Sequence, residues 1–304
     1  MMRRLLPALL LLPALTGCGS DSAGADGKLS VVTAFYPLQF VSERVGGEAV
    51  HVSSLTKPGA EPHDVELTAR QVGEVADAGV IVYLGGFQPA VDDAVKQNGG
   101  DRALDATTAV EMITAQEADD HAGEGDEPAE EHGGTDPHVW LDPTRLAAIA
   151  DQVAERLGKA DPAHAADFTA RAATLRTELT ALDGEFQKGL AECARRELVT
   201  SHTAFGYLAS RYELTQIGIT GIDPETEPSP QRLAAVAAEA REHGTTTIFF
   251  ETLVSPKVAE TIAKEVGAKT AVLDPIEGLT DDSADYFSVM RANLTALELG
   301  LECQ

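Results

Sequence analysis

Short apolar runs rich in β-branched residues alternate with stretches of helical spacing along most of this chain. The runs at 29–36 (LSVVTAFY), 50–56 (VHVSSLT) and 79–84 (GVIVYL) are bounded by Pro or Gly and predict strands. Between them, residues 40–45 and 68–76 place apolar side chains at helical intervals. The second half repeats the design, with strands predicted at 198–201, 214–219, 246–251 and 270–273 and helices at 204–211, 230–243, 257–266 and 284–299. Apolar strands separated by helices need cover on both faces. The pattern therefore predicts an α/β protein with two doubly wound parallel-sheet lobes, at 29–160 and 195–304.

Two segments depart from that pattern. Residues 161–194 open with Asp161 as a helix cap and Pro162 at the first helical position, then run on without another Pro. They predict one long rigid helix linking the lobes, about 45 Å long at 1.5 Å per residue, which would restrict hinge motion. Residues 116–136 (QEADDHAGEGDEPAEEHGGTD) hold almost no large apolar side chain, only acids, Gly and the two histidines His121 and His132. Such a segment cannot bury enough surface to fold, and it is expected to be a surface loop.

The N-terminus adds a compartment. Arg3 and Arg4 precede an apolar stretch from Leu5 to Leu15 that Pro7 and Pro13 interrupt. This is shorter than the ~20 residues a spanning helix needs and reads as a signal peptide, residues 1–17. Leu15-Thr16-Gly17-Cys18 matches the bacterial lipobox, so Cys18 is expected to carry lipid and residues 18–28 to form a flexible tether. The protein is then expected at the extracytoplasmic face of the cell membrane, held by lipid alone, as a monomer. A formal charge of −26 rules against nucleic acid as a partner. With Cys18 acylated, Cys193 and Cys303 are left as an even pair in an oxidising compartment, which predicts a disulfide.

The candidate chemistry lies where apolar runs end. His63 (PGAEPHDVELT), His138 (DPHVWLDP), His202 (LVTSHTAFGYLA) and Asp274 (AVLDPIEG) are too far apart in sequence for one helix or loop to carry, so they can meet only at the junction of the halves. Doubly wound sheets bind ligands in the crevice beyond their strands' carboxyl ends. Three imidazoles and a carboxylate, with no thiolate, suit tetrahedral zinc. Glu251, ending a predicted strand, either replaces Asp274 as fourth donor or hydrogen-bonds a ligand imidazole and fixes its tautomer, the second role being preferred. Glu61 reads as a solvated turn residue. Tyr36 and Trp140 could shield the cleft or simply pack in the core. No HExxH or GxSxG motif supports a hydrolase.

Taken together, PGAEPHDVELT, DPHVWLDP, SHTAFGYLA, EPSPQRLA, FFETLVSPKVAETIA and VLDPIEGL resemble the zinc-binding group of metal-type (cluster A-I) solute-binding lipoproteins of ABC importers. The resemblance covers essentially the whole mature chain. It implies two α/β lobes joined by a long helix, and one Zn²⁺ held between them and passed to an ABC permease and its ATPase. Carried over position by position, the ligands fall on His63, His138, His202 and Asp274. Loop 116–136 stands where zinc members often carry a His-rich insert, here with only two histidines. Manganese or iron members tend to carry a carboxylate at the position of His202, so this residue favours zinc. The alternatives are a manganese or iron importer component or an adhesin of the same fold, and then a secreted zinc hydrolase. The chain is not expected to be an enzyme.

Overall fold

A computed structural model describes residues 27–115, 134–281 and 283–304. Cys18, the leader, His121 and His132 lie outside the described residues. Two four-stranded parallel sheets form the frame. In the N-terminal half, β1 (Leu29–Thr33), β2 (Val50–Ser54), β3 (Val80–Tyr83) and β4 (Ala103–Asp105) take the order β2-β1-β3-β4. In the C-terminal half, β5 (Glu197–Thr200), β6 (Thr215–Gly218), β7 (Thr247–Phe250) and β8 (Lys269–Val272) repeat it as β6-β5-β7-β8. The central strands are mostly buried and the edge strand β8 is mostly exposed, as the position of each in its sheet requires.

The helices begin where local chemistry starts them. Thr68 and Gln71 form a reciprocal cap for α2 (Ala69–Asp77) after α1 (Tyr36–Gly46), and α3 (Pro89–Asn98) starts on a proline. Asp142 accepts the Thr144 amide ahead of Pro143 to open α4 (Pro143–Ala160). The long helix is shorter than predicted: α5 spans Ala165–Gly189, about 37 Å at 1.5 Å per residue. Asp161 does not cap it. Its carboxylate accepts the Ala163 amide and pairs with His164, closing a turn that folds α5 back along α4. Buried Phe168, Ala172, Leu175, Leu179, Leu182 and Phe186 recur every three or four residues along α5.

After β5 come α6 (Gly206–Arg211), α7 (Pro230–Glu242), α8 (Lys257–Val266) and α9 (Tyr286–Gly300). Helix α5 packs on α1, α4 and α9. Asp183 in α5 accepts from Arg211 and from the Tyr212 hydroxyl, fastening the helix to the C-terminal half. One buried cluster runs from β1 and β3 through α4 and α5 to Phe205, Phe249, Leu273, Ile276 and Tyr286, so the halves share a core. A smaller cluster lies under α7 and α8. Cys193 and Cys303 form a disulfide closing a separation of 110 residues, a constraint on the unfolded chain of about 4–5 kcal/mol by loop entropy. Among the described residues no helix is long and apolar enough to cross a membrane.

Candidate metal centre

His63, His138, His202 and Glu277, all buried, each offer one donor atom, and these atoms lie within 4.8 Å of one another. The structure thus brings together the three expected histidines but not Asp274. Glu277, three residues further on, reaches the imidazoles instead. Its Oε1 is 3.0 Å from His138 Nε2 and 3.4 Å from both His63 Nε2 and His202 Nε2. Asp274 is committed elsewhere: its carboxylate accepts from the Thr252 hydroxyl and from the Ile276 amide.

Each half supplies two donors. His63 follows β2 by a loop that Gln88, 1 % exposed, ties down by donating to Thr56 Oγ1 and the Pro62 carbonyl. His138 caps a single 3-10 turn, Val139–Leu141, that leads into α4. His202 follows β5, with its carbonyl accepting from Thr200 Oγ1 and Gln216 Nε2. Glu277 follows β8 by a turn through Ile276, whose φ of 60° is a left-handed conformation unusual for a β-branched residue.

Neighbouring carboxylates set the imidazole orientations. His138 Nδ1–H donates to Asp136 at 2.8 Å and His202 Nδ1–H to Glu251 at 2.7 Å, so both rings turn Nε2 inward. Glu251 is thus hydrogen-bonded to His202 and is not one of the four converging donors. Glu61 and Asp136 also accept the backbone amides of His63 and His138. This exposes a repeat that the sequence reading missed: Glu61-Pro62-His63 and Asp136-Pro137-His138 are the same acid–Pro–His turn. Glu61 is not a solvated turn residue. Its side chain is 11 % exposed, and burial together with the Glu277 charge pushes its carboxyl up to about 8. Trp140 is a wall residue: its indole donates to the Pro275 carbonyl, its ring lies 5.2 Å from that of His138, and its own carbonyl accepts from the Tyr286 hydroxyl.

The cluster is charge-coupled. Burial draws the His202 imidazolium down, but Glu251 and Glu277 outweigh it and raise the group to about 10. Burial likewise opposes the charged form of His138, and Asp136 and Glu277 overcome it in the upward direction. Burial disfavours the Glu277 carboxylate too, yet the three histidines hold it well below the usual range. His202 Nε2 and Glu277 Oε2 nevertheless lack a hydrogen-bond partner, the 3.4 Å approach of His202 to Glu277 being too poorly aligned to count. Unpaired buried polar atoms are costly. His202 Nε2 is one of three imidazole nitrogens gathered about the Glu277 carboxylate, and that donor set suits a divalent cation.

Residues 31–300 match the family model described as zinc-uptake complex component A, periplasmic. The zinc-binding lipoprotein AdcA of Streptococcus pneumoniae serotype 4 is 35 % identical over 306 residues, covering 97 % of this chain, and the chain spans 56 % to 60 % of the length of such AdcA relatives. The high-affinity zinc uptake system protein ZnuA of Bacillus subtilis is 33 % identical over 303 residues, which make up 96 % of this chain and 95 % of that protein. The crystal structure of the Zn(II)-bound ZnuA-like domain of Streptococcus pneumoniae AdcA superposes with a TM-score of 0.74 at 32 % identity, covering 91 % of this chain and all of that one. The frame, the convergence of donors at its centre and these matches agree, and the chain belongs to the family of periplasmic zinc-uptake component A proteins.

Proposed function

We propose that this protein captures Zn²⁺ outside the cytoplasmic membrane, through His63, His138, His202 and Glu277, and delivers it to an ABC permease driven by its ATPase. The observation that carries the reading is the convergence of three imidazole nitrogens and one carboxylate, all buried, in a cluster that includes no thiolate. Those donors favour zinc over manganese, which prefers oxygen ligands. His63, at 8 % exposure against 0–1 % for the other three donors, marks the side from which the ion enters. A carboxylate as fourth donor fills the position that metal-assisted hydrolysis keeps open, so the site serves capture rather than catalysis. The lipobox cysteine Cys18 tethers the protein beside its permease.

Competitive titration of the purified, metal-stripped protein with Zn²⁺ and Mn²⁺ tests the metal assignment. Zinc should bind the tighter of the two, and His202→Glu should narrow the gap. Tighter manganese binding by the unaltered protein would refute it.

A further inference from the structure

The turn that delivers Glu277 is gripped more completely than its length requires. Asn293, 2 % exposed on α9, accepts the Asp274 amide at 2.9 Å through Oδ1 and donates to the Asp274 carbonyl at 2.7 Å through Nδ2. The Pro275 carbonyl accepts from Trp140 at 2.6 Å. The Ile276 amide donates to Asp274 Oδ1 at 2.7 Å, and the other carboxylate oxygen of Asp274 accepts from Thr252 at 2.7 Å. Three successive residues thus have their backbone groups held by side chains from β8's exit, from α9 and from the N-terminal half.

What the grip enforces is Ile276. A β-branched residue at φ 60° disfavours itself, and a free turn would relax toward negative φ. Relaxation would swing the next residue, Glu277, away from the three Nε2 atoms it approaches at 3.0–3.4 Å. Buried amides on the other donor segments act in parallel, Gln88 at Pro62 and Gln216 at His202, but neither restrains a left-handed residue.

We infer that Asp274 and Asn293 are positioning residues for the metal site: they touch no metal, and they clamp the left-handed Ile276 turn so that the Glu277 carboxylate is presented to the histidines before the ion arrives. This rests on Glu277 being a zinc donor as proposed above. It also gives Asp274 a role other than the ligand role its sequence position suggested. Partners that orient a ligand typically contribute 10- to 100-fold in metal affinity.

The test is a double-mutant cycle on the purified full-length protein, with zinc affinity measured against a competing chelator, Co²⁺ absorption as a reporter of coordination geometry, and melting of the metal-free form as a control. Asp274→Ala should weaken zinc roughly 10- to 100-fold and lower the intensity of the visible Co²⁺ bands. Asp274→Asn, which can still accept from the Ile276 amide, should recover most of both. In a Glu277→Gln background Asp274→Ala should cost less than about twofold more, because the group it positions is already gone. Losses that multiply across the cycle, or a Co²⁺ spectrum unchanged in Asp274→Ala, would overturn the clamp. Should Asp274→Ala not fold, Asn293→Leu, similar in volume but unable to make either hydrogen bond, takes its place in the same cycle with the same expected non-additivity. Glu277→Gln separates the two ideas. If it binds zinc as the unaltered protein does, the donor assignment itself fails; if it weakens zinc while Asp274→Ala does not, only the clamp fails.

Discussion

The two halves repeat one sheet order and use its centre for opposite purposes. In each, the strand order reverses between the first and third strands, β1 and β3 in one and β5 and β7 in the other, the place where such sheets bind ligands. In the N-terminal half the exits of β1 and β3 carry Phe35 and Phe87, whose rings meet edge-to-face at 4.8 Å and close the crevice. Phe87 also backs His63, with ring centroids 4.6 Å apart. In the C-terminal half the exits of β5 and β7 carry His202 and Glu251, joined at 2.7 Å. One crevice is plugged with aromatic surface and presses its donors forward on loops. The other holds one of the converging histidines together with the carboxylate hydrogen-bonded to it. The topology supplies two equivalent places, and side-chain chemistry decides which becomes a wall and which a site.

If the plug is packing, Phe35→Ala should lower the stability of the metal-free protein by about 3–5 kcal/mol, with zinc affinity far less affected, as chemical denaturation and chelator competition would show. A loss confined to zinc binding would erase the contrast. The polar pair should respond chiefly in metal binding. Glu251→Gln should weaken zinc roughly 10- to 100-fold through the misdirected His202 ring, and it should also lower metal-free melting at neutral pH, because it removes the buried charge that supports protonated His202.

The smallest effect distinguishes the pair by its proton. Burial is outweighed by Glu251 and Glu277, which hold His202 above its ordinary value, at about 10, so its protonated form stabilises the metal-free fold. That contribution is complete below about pH 6.5 and disappears as pH rises through the folded value. Zinc needs the neutral ring, so binding should expel at least one proton near neutral pH, and apparent affinity should rise about tenfold per pH unit for each proton displaced. Calorimetry in buffers of differing ionisation heat measures this directly, and Glu251→Gln should reduce the release. Zinc binding without proton release would contradict the coupled cluster.

The same contrast explains what the sequence made legible. Apolar runs and caps located seven of the eight described strands and most helices, because those signals are local. Strand β4 is three residues long and α3 buries only Val91, Ala94 and Val95, so neither carries enough periodicity to be seen. The three histidines were readable because each lies close to a strand exit or a helix start. Glu277 was not: its place depends on a left-handed Ile276 and on Asn293, nineteen residues beyond Asp274, and no local pattern reports a contact at that range. Asp136 and Glu61 could have been found from the repeated acid–Pro–His turn, which is a local signal.

The central claim is that zinc sits among His63, His138, His202 and Glu277. X-ray absorption at the zinc edge of the loaded protein tests it most directly. The expected shell has three nitrogens at roughly 2.0–2.1 Å and carboxylate oxygen at roughly 2.0–2.2 Å, with no sulfur, and the oxygen contribution should change in Glu277→Gln. A six-oxygen shell, a sulfur ligand, or a spectrum indifferent to Glu277→Gln would contradict it.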